Sequence, residues 1–165
     1  MFYTCRNPVI FSETPMRPAA LLVSLLFTLS APVFSETEAG TIKISRGDAT
    51  IARSGGTLPA AVGSTVLVSD QIVTGEDGAV GITLRDNTRL TAGANTTLDL
   101  NKFSFDTTTH AGAVDASVTR GSLSVISGKI AKASPDTVRF NTPTVTLGVR
   151  GTEFIIEVDE QGEGE

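Results

Sequence analysis

The feature that most limits what this chain can fold into is its hydrophobic period. Beyond Gly40 it is two almost everywhere, and Gly, Asn and Asp interrupt it at short intervals. Val80, Ile82 and Leu84 alternate with Gly81 and Thr83, and Val114, Ala116 and Val118 alternate with Asp115 and Ser117. Side chains of an extended strand point to opposite faces in turn, so each such run buries one face and presents the other to water. Ile42 and Ile44 read the same way among Thr41, Lys43 and Ser45, and after a turn at Gly47-Asp48 the run Ala49, Ile51, Arg53 resumes with shifted parity. Short runs at 66–68 and 71–73 lead into a turn at 75–78, and a loop runs through Pro59. Leu98 and Leu100 carry a further strand that Phe103 and Phe105 continue on the other face. Leu123 and Val125 follow a break at Arg120-Gly121, and Val138 and Phe140 open the last unit. Turn pairs such as Asp77-Gly78 and Asp86-Asn87 take left-handed backbone angles at low cost. Residues 106–112, with three consecutive Thr and the single His, read as a mobile loop.

Short strands spaced roughly 8–12 residues apart and rich in Thr, Val and Ile predict an all-β fold. The quasi-repeat of turn, alternation and turn admits two forms of it: short antiparallel strands in a twisted sandwich, or a β-solenoid-like roll.

The last unit carries a parity change. Val145, Leu147 and Val149 form one face, and after a glycine-arginine-glycine step Phe154, Ile156 and Val158 form it instead. Such a switch requires an extra residue, a bulge or a corner. Gly148 and Gly151 bracket Arg150 there, and glycines at such a step suggest close packing. Arg150 then has two readings: an exposed contact for a partner's carboxylate, or a folding element whose donors satisfy strand-end carbonyls or an acidic neighbour. The flanking glycines favour the second. Gly148, Arg150, Gly151, Thr152 and Phe154 are therefore the candidate structural or partner-contact residues.

The N-terminal region has the plan of a secretory signal: a basic start at Arg17, an apolar run over 19–29, and small residues at Val33 and Ser35 for cleavage after Ser35. That run is shorter than the about 20 residues a bilayer span needs. Residues 1–15 fit no part of the plan, so a start at Met16 is expected. Phe2 or Tyr3 found at the N-terminus of the precursor by mass spectrometry would reject it. The expected organisation is a leader at 1–15, a signal peptide helix at 16–35, a linker at 36–39, a β domain at 40–158 and a disordered acidic tail at 159–165. The expected location is the periplasm or the exterior, with membrane contact only through the signal before cleavage.

Composition narrows the function. Cys5 is the single cysteine, so the processed chain has none and no disulfide framework is available. Removing 1–35 takes away Arg6, Arg17 and Glu13 and leaves 11 basic against 17 acidic side chains, a net charge of −6. Such a surface repels phosphate backbones, and nucleic acid is not expected as a partner. One His and no Cys leave zinc or a catalytic triad without ligands, and His110 reads as a solvated loop residue. Asp70, Glu76 and Asp77 lack the spacing of a calcium loop and read as turn formers. The 148–151 step lacks the Gly-Lys-Ser/Thr ending of a phosphate loop. Neither catalysis nor a cofactor is expected.

Three stretches together resemble the FecR domain of bacterial iron-uptake regulators. They are Gly40-Thr-Ile-Lys-Ile-Ser-Arg-Gly-Asp48 with the strand after it; Val62-Gly63 through Gly75 and on from Ala79 to Leu90; and Thr142-Pro143 with Val149-Arg-Gly-Thr-Glu-Phe154. The family usually has Gly-Asp at Ser69-Asp70 and Asp-Gly-Ser/Thr at Asp86-Asn87-Thr88; Asn is the best non-glycine residue for a left-handed position. Classical members resemble an anti-sigma segment, a membrane helix, this domain and a partner-binding region. The resemblance here implies a stand-alone exported domain, to which the sigma-factor role does not carry over. The expected function is a protein-interaction module in envelope sensing or signal regulation, with another envelope protein as partner. The alternative is a cell-wall or glycan-associated structural protein, against which the lack of Trp, and of Tyr once Tyr3 is removed, argues.

Overall fold

The structure, a computed structural model, describes residues 37–149 and 153–159. The signal and leader segments, the tail beyond Asp159, and Arg150, Gly151 and Thr152 lie outside the described residues. The strands are β1 (Glu38–Arg46), β2 (Ala49–Arg53), β3 (Gly56–Pro59), β4 (Thr65–Leu67), β5 (Gln71–Thr74) and β6 (Ala79–Leu84). They continue with β7 (Arg89–Ala92), β8 (Thr97–Phe105), β9 (Gly112–Ile126), β10 (Val138–Asn141), β11 (Thr146–Gly148) and β12 (Glu153–Val158). One short helix, α1 (Lys129–Ala133), and a 3-10 turn at Pro135–Thr137 lie between β9 and β10. The fold is all-β, a curled half-barrel sheet. β1 takes in Glu38 and Ala39, which the sequence reading had assigned to a linker.

Strand β9 organises the sheet. Its first half pairs with β8 and β10, its second with β7 and β12. Two half-sheets therefore share it: β3-β2-β5-β8-β9-β10-β11 and β12-β9-β7-β6-β1-β4. All pairings are antiparallel except β9 with β10, which is parallel because α1 and the turn after it return the chain to its starting end. The expected break at Arg120-Gly121 is a kink within one strand. Gly121 has φ +85, a left-handed angle that favours glycine, and the register slips there so that Leu98 faces Val118 while Thr97 faces Arg120. Val114, Ala116 and Val118 before the kink and Leu123 and Val125 after it are all buried, on opposite parities.

Two further bulges correct the simple alternation. In β1 the register shifts between Ile42 and Ile44, so Ile42 is fully buried while Ile44 is 50% exposed. In β8 it shifts between Leu100 and Lys102, which returns Phe103 to the inner face beside Leu98 and Leu100 instead of leaving it on the outer one. An extra residue in one strand moves every later side chain to the other face. The interior combines Ile51, Ile72, Leu98 and Phe140 from one half-sheet with Ile42, Leu84, Leu90 and Ile156 from the other. Each such side chain contributes roughly 1.5–3 kcal/mol when fully buried.

Buried polar pairs tie distant segments. Asp70, 1% exposed, is held by Arg53, whose Nε and Nη2 donate to its two carboxylate oxygens, both at 2.7 Å. Asp70 also accepts the Leu67 amide at 2.7 Å, so its role goes beyond forming a turn. Asp86, fully buried, accepts the Thr88 amide at 3.0 Å, the Thr88 hydroxyl at 2.6 Å and the Ile130 amide at 3.4 Å. Its backbone carbonyl accepts the Lys129 amide at 2.9 Å. The first turn of a helix leaves its N–H groups without intrahelical partners. Here the capping residue Gly128 supplies no side chain, and the turn at 86–88 does the capping from across the fold.

Candidate partner-binding site

The segment 141–158 changes half-sheets. β11 pairs with β10, with Phe140 opposite Leu147, whereas β12 pairs with β9, with Phe154 opposite Val125. The two described parts of the segment therefore belong to different half-sheets. The second part of the reading holds, with Ile156 buried and Phe154 and Val158 half-buried. The first part does not. Val149 is buried, but Val145 and Leu147 are 52% and 37% exposed, because β11 is a rim strand whose residues are all exposed.

Of the predicted site residues, Phe154 sets its ring edge-on to Phe140 at 5.3 Å and 73°, joining β12 to β10 across the interior. Gly148 is exposed, and a Cβ added there would meet nothing within 4 Å. The close packing expected at Gly148 is thus not found. Gly148 lies instead beside a shallow depression of about 300 Å³ with Arg139, Thr146 and Pro135. Arg150, Gly151 and Thr152 fall outside the described residues.

A larger cleft of about 510 Å³ opens beside the same segment, between Thr119 and Arg120 at the β9 kink, the 142–144 turn and residues 157–159. The turn is held by the Thr142 hydroxyl, which accepts the Val145 amide at 3.1 Å, and by the Thr142 amide, which donates to the Val145 carbonyl at 2.8 Å. Glu157 and Asp159 stand exposed on one wall. The hydroxyls of Thr119, Thr142 and Thr144 and the carboxylates of Glu157 and Asp159 around a proline ring suit a peptide main chain carrying a basic side chain. Among the described residues β11 hydrogen-bonds only to β10 and β12 only to β9, so both strands flanking this region keep an open edge.

The other candidates stay apart. Asp70 is spent on Arg53, Asp77 accepts the Asp48 amide at 3.3 Å, and Glu76 is exposed. Among the described residues no group of three or more His, Cys, Asp or Glu gathers as a metal site. His110 stacks on Phe105 at 6.1 Å in a turn built by Asp106, which accepts the Thr108 and Thr109 amides at 2.7 and 2.9 Å. Those amides, Thr109 foremost, hold the Asp106 carboxyl below the ordinary aspartate range. No helix among the described residues is long and apolar enough to cross a membrane.

Sequence reasoning missed a polar ladder on the outer face of the first half-sheet. Asn101 donates to Asp115 at 3.1 Å and to Ser117 at 2.7 Å, Asn141 donates to Asp115 at 2.9 Å, and Thr146 donates to Asn141 at 3.0 Å. The exposed parity of these strands was visible, but the pairing that aligns them needs the topology.

The FecR protein family model matches residues 70–164, more than half of the chain. The chain belongs to the FecR family. Members of that family are regulatory and sensing proteins, and the FecR match fits an envelope-associated module of that kind. The matched region starts at Asp70 and takes in the cleft and both open rim strands. A comparison with curated proteins finds no significant match. A solved structure described as a cell surface anchoring domain is similar over 38% of this FecR chain and 84% of its own length, at 22% identity and a TM-score of 0.37.

Proposed function

We propose that this FecR-domain protein is a non-catalytic exported module, processed near Ser35, that makes protein–protein contacts in the periplasm or outside the cell in envelope sensing or signal regulation. The observation that supports it is the cleft between the 142–144 turn and the end of β12, flanked by two strands that each pair along one edge only among the described residues. An extended segment of an envelope protein pairs with such an edge through its main chain and places side chains in the adjoining cleft. The test is photocrosslinking in cells from probes at Thr144 and Asp159, with Leu58 on β3 as the comparison site. Recovery of a membrane receptor or regulator from the first two and not from Leu58 supports the proposal. Equal recovery from all three, or none, rejects the cleft as the site.

The outer ladder of Asn101, Asp115, Ser117 and Asn141 favours a second reading, a cell-wall or glycan-associated role, since side-chain amides and carboxylates are the groups that hydrogen-bond sugar hydroxyls. Co-sedimentation with purified peptidoglycan that is lost in Asn101→Ala would favour it over the first.

A further inference from the structure

The outer face of the second half-sheet carries two strips of opposite character. Register places Ile155 of β12, Ser124 of β9, Thr91 of β7, Gly81 of β6 and Ile44 of β1 in one cross-strand row, and residues directly opposite one another share a face. At the β12 end of this row Ile155 is 67% exposed, and its same-face neighbours along the strand are Glu153 and Glu157, both exposed. At the β1 end Ile44 is 50% exposed, with exposed Lys43 in the bulge before it and exposed Arg46 two residues on. Ile44 lies over Gly81, where an added Cβ would be 3.1 Å from Ile44 Cβ, and a groove of about 280 Å³ opens beside it, lined by Lys43, Ile44, Thr83, Arg89 and Thr91. One end is therefore an apolar knob between two carboxylates. The other is an apolar-edged hollow among Lys43, Arg46 and Arg89.

We propose that these strips bind each other between copies of this chain, Ile155 of one copy entering the groove beside Ile44 of the next. Charge selects the occupant. A knob flanked by Glu153 and Glu157 repels a second knob of the same kind and is attracted to the Lys43 and Arg46 side of the hollow. The groove adds an apolar wall, since Ile44, 50% exposed, borders it. The knob on β12 and the middle of the groove on β6 lie three strand spacings apart, roughly 14 Å at about 4.8 Å per strand, so one copy's knob meets a different part of the next copy's face and the contact is heterologous.

The experiment is sedimentation velocity on the purified protein, as the cell processes it, over a concentration series. Association is expected in the unaltered protein, with at least about tenfold weaker association in Ile155→Glu and in the double variant Lys43→Glu/Arg46→Glu. Each variant retains the strip the other has lost, so an equimolar mixture of the two is expected to form a one-to-one complex. Circular dichroism melts of both variants confirm that they fold; all three substitutions are at exposed positions, and Ile155→Thr replaces Ile155→Glu if the charge unfolds the strand. Two results overturn the proposal: an unaltered protein that stays monomeric at concentrations on the order of 100 μM, or two folded variants that stay monomeric when mixed. If the unaltered protein is monomeric and Ile155→Glu abolishes capture of an envelope protein, the knob belongs to a foreign partner and the self-contact is wrong.

Discussion

Thr88 holds Asp86 and Gly128 at once: its hydroxyl donates to the Asp86 carboxylate at 2.6 Å and accepts the Gly128 amide at 3.0 Å. The second bond spans 40 residues of sequence, and all the groups involved are buried. Replacing Asp86 by Ala strands the Thr88 amide and hydroxyl and the Ile130 amide away from water. The expected loss is about 2–3 kcal/mol. Thr88→Val is expected to lose about 1–2 kcal/mol, and the double variant less than the sum, since both changes break one network. Thermal melts of the three proteins measure this, with about 4 °C per kcal/mol for a domain of this size.

Arg53 and Asp70 give a second test. Arg53→Ala leaves the Asp70 carboxylate, 1% exposed, without its cation, and the expected cost is about 2–4 kcal/mol, reduced from a fully buried pair by the 24% exposure of the arginine. Arg53→Lys is expected to recover only part of it, because an ammonium cannot supply two parallel bonds. Urea denaturation midpoints decide the order of the three proteins.

Ser69 has φ +74, in the left-handed region that favours glycine. A left-handed angle costs a non-glycine residue roughly 1–2 kcal/mol, and glycine's greater freedom in the unfolded chain returns about half of that. Ser69→Gly is therefore expected to raise the melting temperature by a few degrees. Asn87, at φ +67, is a residue type that tolerates this region, and Asn87→Gly is expected to change stability by no more than about 0.5 kcal/mol.

Two glycines should differ sharply. At Gly121 an added Cβ would lie 2.6 Å from the Asn95 carbonyl oxygen and from the Thr96 Cα, at a positive φ, so Gly121→Ala is expected to cost more than about 3 kcal/mol or to prevent folding. At Gly148 the space is open, and Gly148→Ala is expected to be neutral within about 0.5 kcal/mol. Soluble yield and melting temperature separate the two.

Asp106 sets a pH dependence. Its carboxyl is held below the ordinary aspartate value by the Thr109 and Thr108 amides, and a depressed folded-state value stabilises the charged, folded form. The turn is therefore expected to keep this contribution at neutral pH. It should lose the contribution progressively as pH falls from the ordinary aspartate range through the lowered value. Amide exchange at Thr108 and Thr109, followed through an acid titration, reads it directly; in Asp106→Ala that protection should be low at every pH.

Inner and outer faces were legible wherever alternation ran unbroken, as in Val80, Ile82 and Leu84, all buried. Bulges defeated the reading. Nothing local in Leu98-Asp-Leu-Asn-Lys-Phe103 says that one extra residue returns Phe103 to the core. Strands β3 and β7 were missed because runs of four residues give too few alternations to count. The polar ties were invisible for another reason. Arg53 and Asp70 are 17 positions apart and Asp86 and Ile130 are 44, so neither pair exists until the topology brings its members together. At the candidate site the parity of Phe154, Ile156 and Val158 was readable. Which side of β11 faces solvent was not, because that depends on β11 being a rim.

Both half-sheets are completed by the same fifteen-residue strand, and it comes late in the chain. Strands β1 to β8 are all synthesised before β9, so they can make local hairpins but cannot close the sheet. Neither half can then be cut out and expected to fold alone, even though the family match begins only at Asp70, leaving out the strands that cover β5 and β6. Such a chain folds by long-range closure, slowly for its size, and unfolds as one cooperative unit.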